Sequence, residues 1–215
     1  MITEILHITL LSIFVSVSAT ILASIMAVPL GTILGLKKFR GKEIIRTVTY
    51  TLYGFPPVVA GLIIYLMLSR EGPLGSLNLL FTPTSMILAQ MVLVFPIVTG
   101  LTMSSVSDIA KDVKETAMTL GADRWQTAKT VLNEARVGVI SAIMVGFGRA
   151  IAEVGAVIMV GGNIRWHTRV LTTAIVLETR RGNFAYALIL GGILLSVALF
   201  VFFILKRYQD KGVKM

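Results

Sequence analysis

The sequence predicts an all-α fold, a polytopic membrane bundle of about five transmembrane helices, and three observations predict it. Mean hydropathy is +0.85, with 55% of residues hydrophobic and only 14% charged, whereas about a quarter of residues are charged in a soluble domain. Several apolar runs reach the ~20 residues that a helix needs to cross a hydrocarbon core. The basic residues concentrate in alternate connecting segments, as topogenic charge does.

The first run, Ile8 to Leu36, follows a start that carries Glu4 in place of a basic n-region, so it is expected to remain as an uncleaved span. The others are Thr47 to Leu68, Ser85 to Val106, Gly138 to Val160 and Phe184 to Leu205. Val170 to Leu177 is too short to cross and is expected to pack against a loop, or dip from one, as a short helix. Pro29, Pro56, Pro57 and Pro96 lie in or near these runs, where each removes a backbone donor and can bend a helix. Residues 1–215 read as one transmembrane domain. The chain has no cysteine, which excludes disulfides and thiolate metal sites.

Fourteen basic residues fall on one side of this topology: Lys37, Lys38, Arg40, Lys42 and Arg46, then Lys111, Lys114, Arg124, Lys129 and Arg136, then Lys206, Arg207, Lys211 and Lys214. Arg70, Arg165, Arg169, Arg180 and Arg181 fall on the other, and Arg149 lies within a span. The asymmetry predicts an N-terminus outside and a C-terminus in the cytoplasm. It also absorbs most of the +9 net charge, so no nucleic-acid partner is implied.

The polar stretch Glu115 to Leu132 stands out between two apolar runs. Gly121 can end one helix in a left-handed turn, and Asp123 can cap the next, which predicts two short helices with a bend. Ala117 and Gly121 are four residues apart, so one face carries little bulk and another protein can approach it closely. A solvated helix linking two spans remains the plainer alternative.

Here the residues resemble the coupling motif of ATP-binding-cassette importer permeases: Glu-Ala-Ala, three residues, Gly, nine residues, an aliphatic residue, one residue, Leu-Pro. The chain supplies Glu115, Ala117, Gly121 and Val131 in that register, and departs from it at Thr116 and at Asn133-Glu134. "GFPPVVAGLIIYLMLSREGPLG" (54–75) and "GFGRAIAEVGAVIMVGGNI" (146–164) resemble segments of permeases for tetrahedral oxyanions, the molybdate, tungstate and sulfate group. "LTTAIVLETRRGNF" (171–184) is most similar to the tungstate branch. The resemblance implies a type I importer permease whose segment 108–137 is a cytoplasmic coupling loop, with Glu115, Ala117 and Gly121 at the contact with the ATPase. It further implies a homodimer, two ATP-binding subunits and an extracytoplasmic substrate-binding protein. Molybdate or sulfate as cargo stays open. So, more distantly, does an ion-gradient-driven carrier or a channel.

Other features test this reading independently. The chain has no phosphate-binding loop: Gly41-Lys42 is followed by Glu43, and Leu36 stands where the first glycine belongs. Any ATP must therefore be bound by a partner subunit, and no cofactor is expected in this chain. Arg149 and Glu153 are one turn apart in the fourth span and can pair, either to tie helices together or to place Arg149 beside the path of an anion. Gly138, Ala142, Gly146 and Ala150 form a small-residue strip suited to close helix packing, within the bundle or at a dimer seam. Arg165, Arg169, Arg180 and Arg181 read as an outer basic rim for an oxyanion or an acidic delivery protein, or as charge tolerated once topology is set. His7 and His167 lack metal-ligand spacing, and Trp125 and Trp166 read as packing or interface aromatics.

Overall fold

The computed structural model describes residues 2–37 and 39–213, except the side chains at 111, 112, 114, 115, 118 and 211–213. Among the described residues all regular structure is helical: α1 (Ile2–Leu36), α2 (Lys42–Thr51), α3 (Pro57–Leu68), α4 (Pro83–Thr119), α5 (Arg124–Glu134), α6 (Arg136–Ile151), α7 (Gly155–Gly161), α8 (Leu171–Arg180) and α9 (Phe184–Val213). Three of these, α1, α4 and α9, are long and apolar enough to cross a membrane unbroken. Counting each bent pair as one span brings the number to five, the pairs being α2 with α3 at 97° and α5 with α6 at 63°.

Helix α4 is the axis of the bundle. Helix α1 runs parallel to it, so closely that a Cβ on Gly31 would lie 2.6 Å from the Thr99 carbonyl oxygen and one on Gly35 would lie 2.7 Å from Val106 Cγ1. Helices α6 and α7 run antiparallel along α4: Gly138 abuts Ser105, Gly146 abuts Val98 and Val94, and Gly161 abuts Met86. The stretch of α4 they line, Ser105 back to Ser85, rises ~30 Å at 1.5 Å per residue, one hydrocarbon thickness. The small-residue strip is therefore filled by this chain's own α4. Ala142 and Ala150 are buried with Ala23, Ala27, Val94 and Val98. Lipid tails are as apolar as leucine, so close packing of this kind, more than water exclusion, holds the helices together.

Several sequence expectations change in detail. The span predicted over Thr47 to Leu68 is interrupted at Leu52–Gly54 and Phe55, and Pro57 opens α3 at its first turn. Two prolines force their preceding residues, Phe55 and Pro56, into extended conformations that no α-helix accommodates. The span predicted over Gly138 to Val160 leaves the helix at Ala152 to Val154. Pro29 and Pro96, by contrast, lie inside continuous helices. The first of the two "short" polar helices is the end of the 37-residue α4. The segment too short to cross forms α8, which dips into the bundle: the Leu171 amide donates to Ser12 Oγ at 2.8 Å, and Thr172 Oγ1 donates to the Glu153 carbonyl at 2.8 Å.

The bundle has two chemically different ends. At the basic end, Ser107 Oγ and Lys42 Nζ both donate to the Gly35 carbonyl, and Gln209 Nε2 reaches the Val137 carbonyl and Ser141 Oγ. At the opposite end, the Phe81 amide and Ser85 Oγ donate to the Val160 carbonyl, and Arg165 reaches Glu4. Only 6% of the apolar window of α9 is buried, against 67% for α4. Helix α9 therefore meets lipid or another chain along most of its length.

Candidate functional site

The α4–α5 hairpin at the basic end is built by local chemistry. Gly121 takes φ +83°, a left-handed conformation that a side chain disfavours even though a Cβ there would meet nothing within 4 Å. The Ala122 amide closes the turn on the Ala117 carbonyl at 3.0 Å. Asp123 then opens α5 with a capping box: its Oδ1 accepts from the Trp125 and Gln126 amides at 2.8 Å, and Gln126 Oε1 accepts from the Asp123 amide at 2.9 Å.

Ala117 is buried on the inner side of this hairpin, while Gly121 is exposed at its tip. Flanking Gly121 are Leu120 and Trp125, 83% and 78% exposed, apolar groups at a position that polar residues would otherwise occupy. The sequence singles out Ala117 and Gly121 for their small size but misses Leu120, and Trp125, read there as a packing or interface aromatic, is instead not packed within the chain. The Glu115 side chain lies outside the described residues. On the inner face, Val131, Ala135 and Val139 pack with Val106, which seats α5 and the start of α6 on α4.

Arg149 and Glu153 form an ion pair at the break between α6 and α7. Arg149 lies in the last turn of α6, where the helix dipole favours a cation. Glu153 is 2% exposed; its Oε2 meets Arg149, and its Oε1 accepts from the Ala156 amide at 2.9 Å at the start of α7. Both oxygens of a buried carboxylate are thus satisfied, and the two helix ends are joined by a charge of the right sign at each.

The four arginines of the expected outer rim do not act alike. Arg165 holds Glu4 through Nε and NH2 at 2.9 and 2.6 Å, and Arg169 reaches the same carboxylate at 3.3 Å. The Glu4 carboxylate beside it raises the Arg165 guanidinium above its ordinary range. Arg181 pairs with Glu178 at 3.0 Å, whereas Arg180 is exposed with no ion pair among the described residues. The Glu4 bonds tie the first turn of α1 to the loop after α7, across a separation that sequence spacing does not reveal. His7 and Trp166 stack edge-on at 5.4 Å in the same corner, and no group of ligating side chains suited to a metal occurs among the described residues.

A multi-pass helical bundle with an exposed hairpin at its basic end is the architecture of a membrane transport subunit. Residues 27–215 match the family described as binding-protein-dependent transport system inner membrane component, and the chain belongs to that family. It is 40% identical to a probable anion ABC transporter permease protein of Haloferax volcanii, covering 97% of this chain and 92% of the relative. It is 39% identical to the tungstate uptake system permease protein TupB of Peptoclostridium acidaminophilum, covering 97% and 91%. A sulfate transport system permease protein, CysW of Synechococcus elongatus, is 31% identical over 83% of this chain and 69% of its own length.

Proposed function

We propose that the chain is the membrane subunit of an ATP-driven importer for tungstate, working as a homodimer with two ATP-binding subunits and an external binding protein. The observation that carries the reading is the α4–Gly121–α5 hairpin, a fixed protrusion with an apolar tip on a chain that cannot bind ATP through a phosphate loop of its own. In this reading the tip, Leu120, Gly121 and Trp125, seats in the ATPase subunit, and Glu115 belongs to the coupling motif that the sequence supplies. Buried Ala117 lets α4 and α5 close behind the tip. Seating of the hairpin on α4 then carries motion of the ATPase to the axis of the bundle. The basic end faces the cytoplasm, as the charge asymmetry favours, and the N-terminus faces outside. The extensive similarity to a tungstate uptake permease supports the cargo, with selectivity residing mainly in the binding protein. Arg180, the rim arginine left without an ion pair, is available to that protein.

The test is ATP hydrolysis by the reconstituted complex with the binding protein loaded in turn with tungstate, molybdate or sulfate. Stimulation by tungstate alone, lost in Glu115→Lys and in Trp125→Ala, is the expected result. Equal stimulation by the other anions overturns the cargo, and transport without any ATPase overturns the class. Stimulation unchanged in Arg180→Ala/Arg181→Ala removes the rim from docking.

A second reading of Arg149 is favoured by one asymmetry: its side chain is 26% exposed while that of Glu153 is 2% exposed. Guanidinium donors on the open side of the pair would meet a passing oxyanion. Tungstate uptake unchanged in Arg149→Gln, at equal membrane levels, eliminates that role and leaves the pair as a joint between helices.

A further inference from the structure

A groove of about 520 Å³ opens sideways from the bundle between α1, α2 and α4. Ala23, Thr49, Pro96 and Thr99 form its buried parts, and Met26, Leu30, Ile45 and Val92 stand exposed along it. Its two hydroxyls are already engaged, Thr49 Oγ1 with the Ile45 carbonyl and Thr99 Oγ1 with the Phe95 carbonyl, each at 2.8 Å. Neither hydroxyl has a proton left for an anion and the other lining side chains are apolar, so the groove suits a hydrocarbon occupant.

Charge selects the occupant. Leu34 lines the groove at its basic end, and three residues later the chain enters a segment carrying Lys37, Arg40, Lys42 and Arg46 against the single acid Glu43. Lys42 Nζ donates to the Gly35 carbonyl at 3.1 Å, next to Leu34, which places the lysine at this mouth. Helix α2 turns 97° from α3 and carries Ile44 and Val48 exposed beside the groove. A cationic mouth above a hydrocarbon slot at the membrane boundary matches a phosphate above an acyl chain. A second copy of this chain, packed symmetrically through the same face, would instead bring two cationic mouths together.

We propose that this groove holds one acyl chain of an anionic phospholipid from the leaflet at the basic end, its phosphate drawn to Lys37 and Lys42. The lipid fills the space between α2 and the α1–α4 pair and fixes α2 against the bundle. This inference depends only on the chain being embedded in a bilayer, and it stands or falls separately from the cargo.

The experiment is native mass spectrometry of the full permease complex, taken from vesicles of equal phosphatidylglycerol and phosphatidylcholine. One retained phosphatidylglycerol per permease chain is expected. Met26→Trp, which fills the open side of the groove, should abolish retention. Lys37→Glu/Lys42→Glu should lower the preference for phosphatidylglycerol at least fivefold without emptying the groove. Retention unchanged in Met26→Trp, or equal retention of the two lipids by the unaltered chain, overturns the proposal. The absence of native cysteine provides a further check: a thiol cross-linker that joins two Val92→Cys chains through the groove would assign it to a second copy and overturn the lipid.

Discussion

Between α2 and α3 the chain turns 97° at Phe55, Pro56 and Pro57, whereas between α6 and α7 it leaves the helix for three residues and then continues along the same neighbour, α4. The first break is favoured by covalent geometry: each proline disfavours the helical conformation of the residue before it, and two in tandem break the helix where single Pro29 and Pro96 are accommodated. The second is held by side chains, with Arg149 at the end of one helix and Glu153 capping the next. A break made by the backbone is robust to its surroundings. One made by a buried ion pair depends on single atoms, because removing one partner strands the other charge.

The largest expected effect follows from that difference. Glu153→Ala removes the partner of Arg149 and the acceptor of the Ala156 amide together, and should destabilise the chain by about 3–5 kcal/mol, the cost of breaking a buried pair. Thermal unfolding in detergent, followed by size-exclusion chromatography, measures it. Arg149→Gln/Glu153→Gln should recover part of the loss, because neither charge is then stranded. A melting temperature unmoved by Glu153→Ala would mean that packing on α4 holds the break and that the charges are incidental.

These two breaks also show what was legible in the sequence. Pro56 and Pro57 announce a bend locally, and so do Gly121 and the Asp123 cap. Arg149 and Glu153 are visible as a pair at four-residue spacing, but that spacing fits an uninterrupted helix equally well. Only the meeting of Glu153 Oε1 with the Ala156 amide reveals a cap, so the predicted span runs straight through Ala152 to Val154. Close packing of α6 was foreshadowed by its glycine and alanine spacing, though not the identity of the helix that would fill it, and the α1–α4 approach at Gly31 and Gly35 was not read from the sequence. The tie from Glu4 to Arg165 and Arg169 joins residues too far apart in the chain for any local pattern to show.

The α4–α5 turn sharpens the comparison because it uses both devices, a glycine backbone and a carboxylate cap. Gly121→Ala forces a Cβ into φ +83° and should cost ~1–2 kcal/mol. Asp123→Ala deletes the side-chain acceptor for two amides and should cost about 1 kcal/mol. Hydrogen exchange across residues 116–127 measures both, with faster exchange confined to the turn. If coupling to the ATPase depends on hairpin shape, Gly121→Ala should also lower stimulated hydrolysis while leaving the Glu153-dependent melting temperature in place. Faster exchange that spreads into α6 would show instead that hairpin and break form one cooperative unit.

The smallest effect should come from the proline break. Pro56→Ala leaves Pro57, which still holds residue 56 in the extended region, and Pro57→Ala leaves Pro56, which still holds Phe55. Either change should alter stability by no more than about 1 kcal/mol, since a proline also restricts the unfolded chain. Spin labels at Ile44→Cys and Ile63→Cys, in a chain with no other cysteine, report the angle between α2 and α3 as a distance. That distance should hold in each single variant and lengthen only in Pro56→Ala/Pro57→Ala, where both restraints are gone. Straightening in Pro56→Ala alone would show that the bend rests on one residue, which would make it as fragile as the ion-paired break.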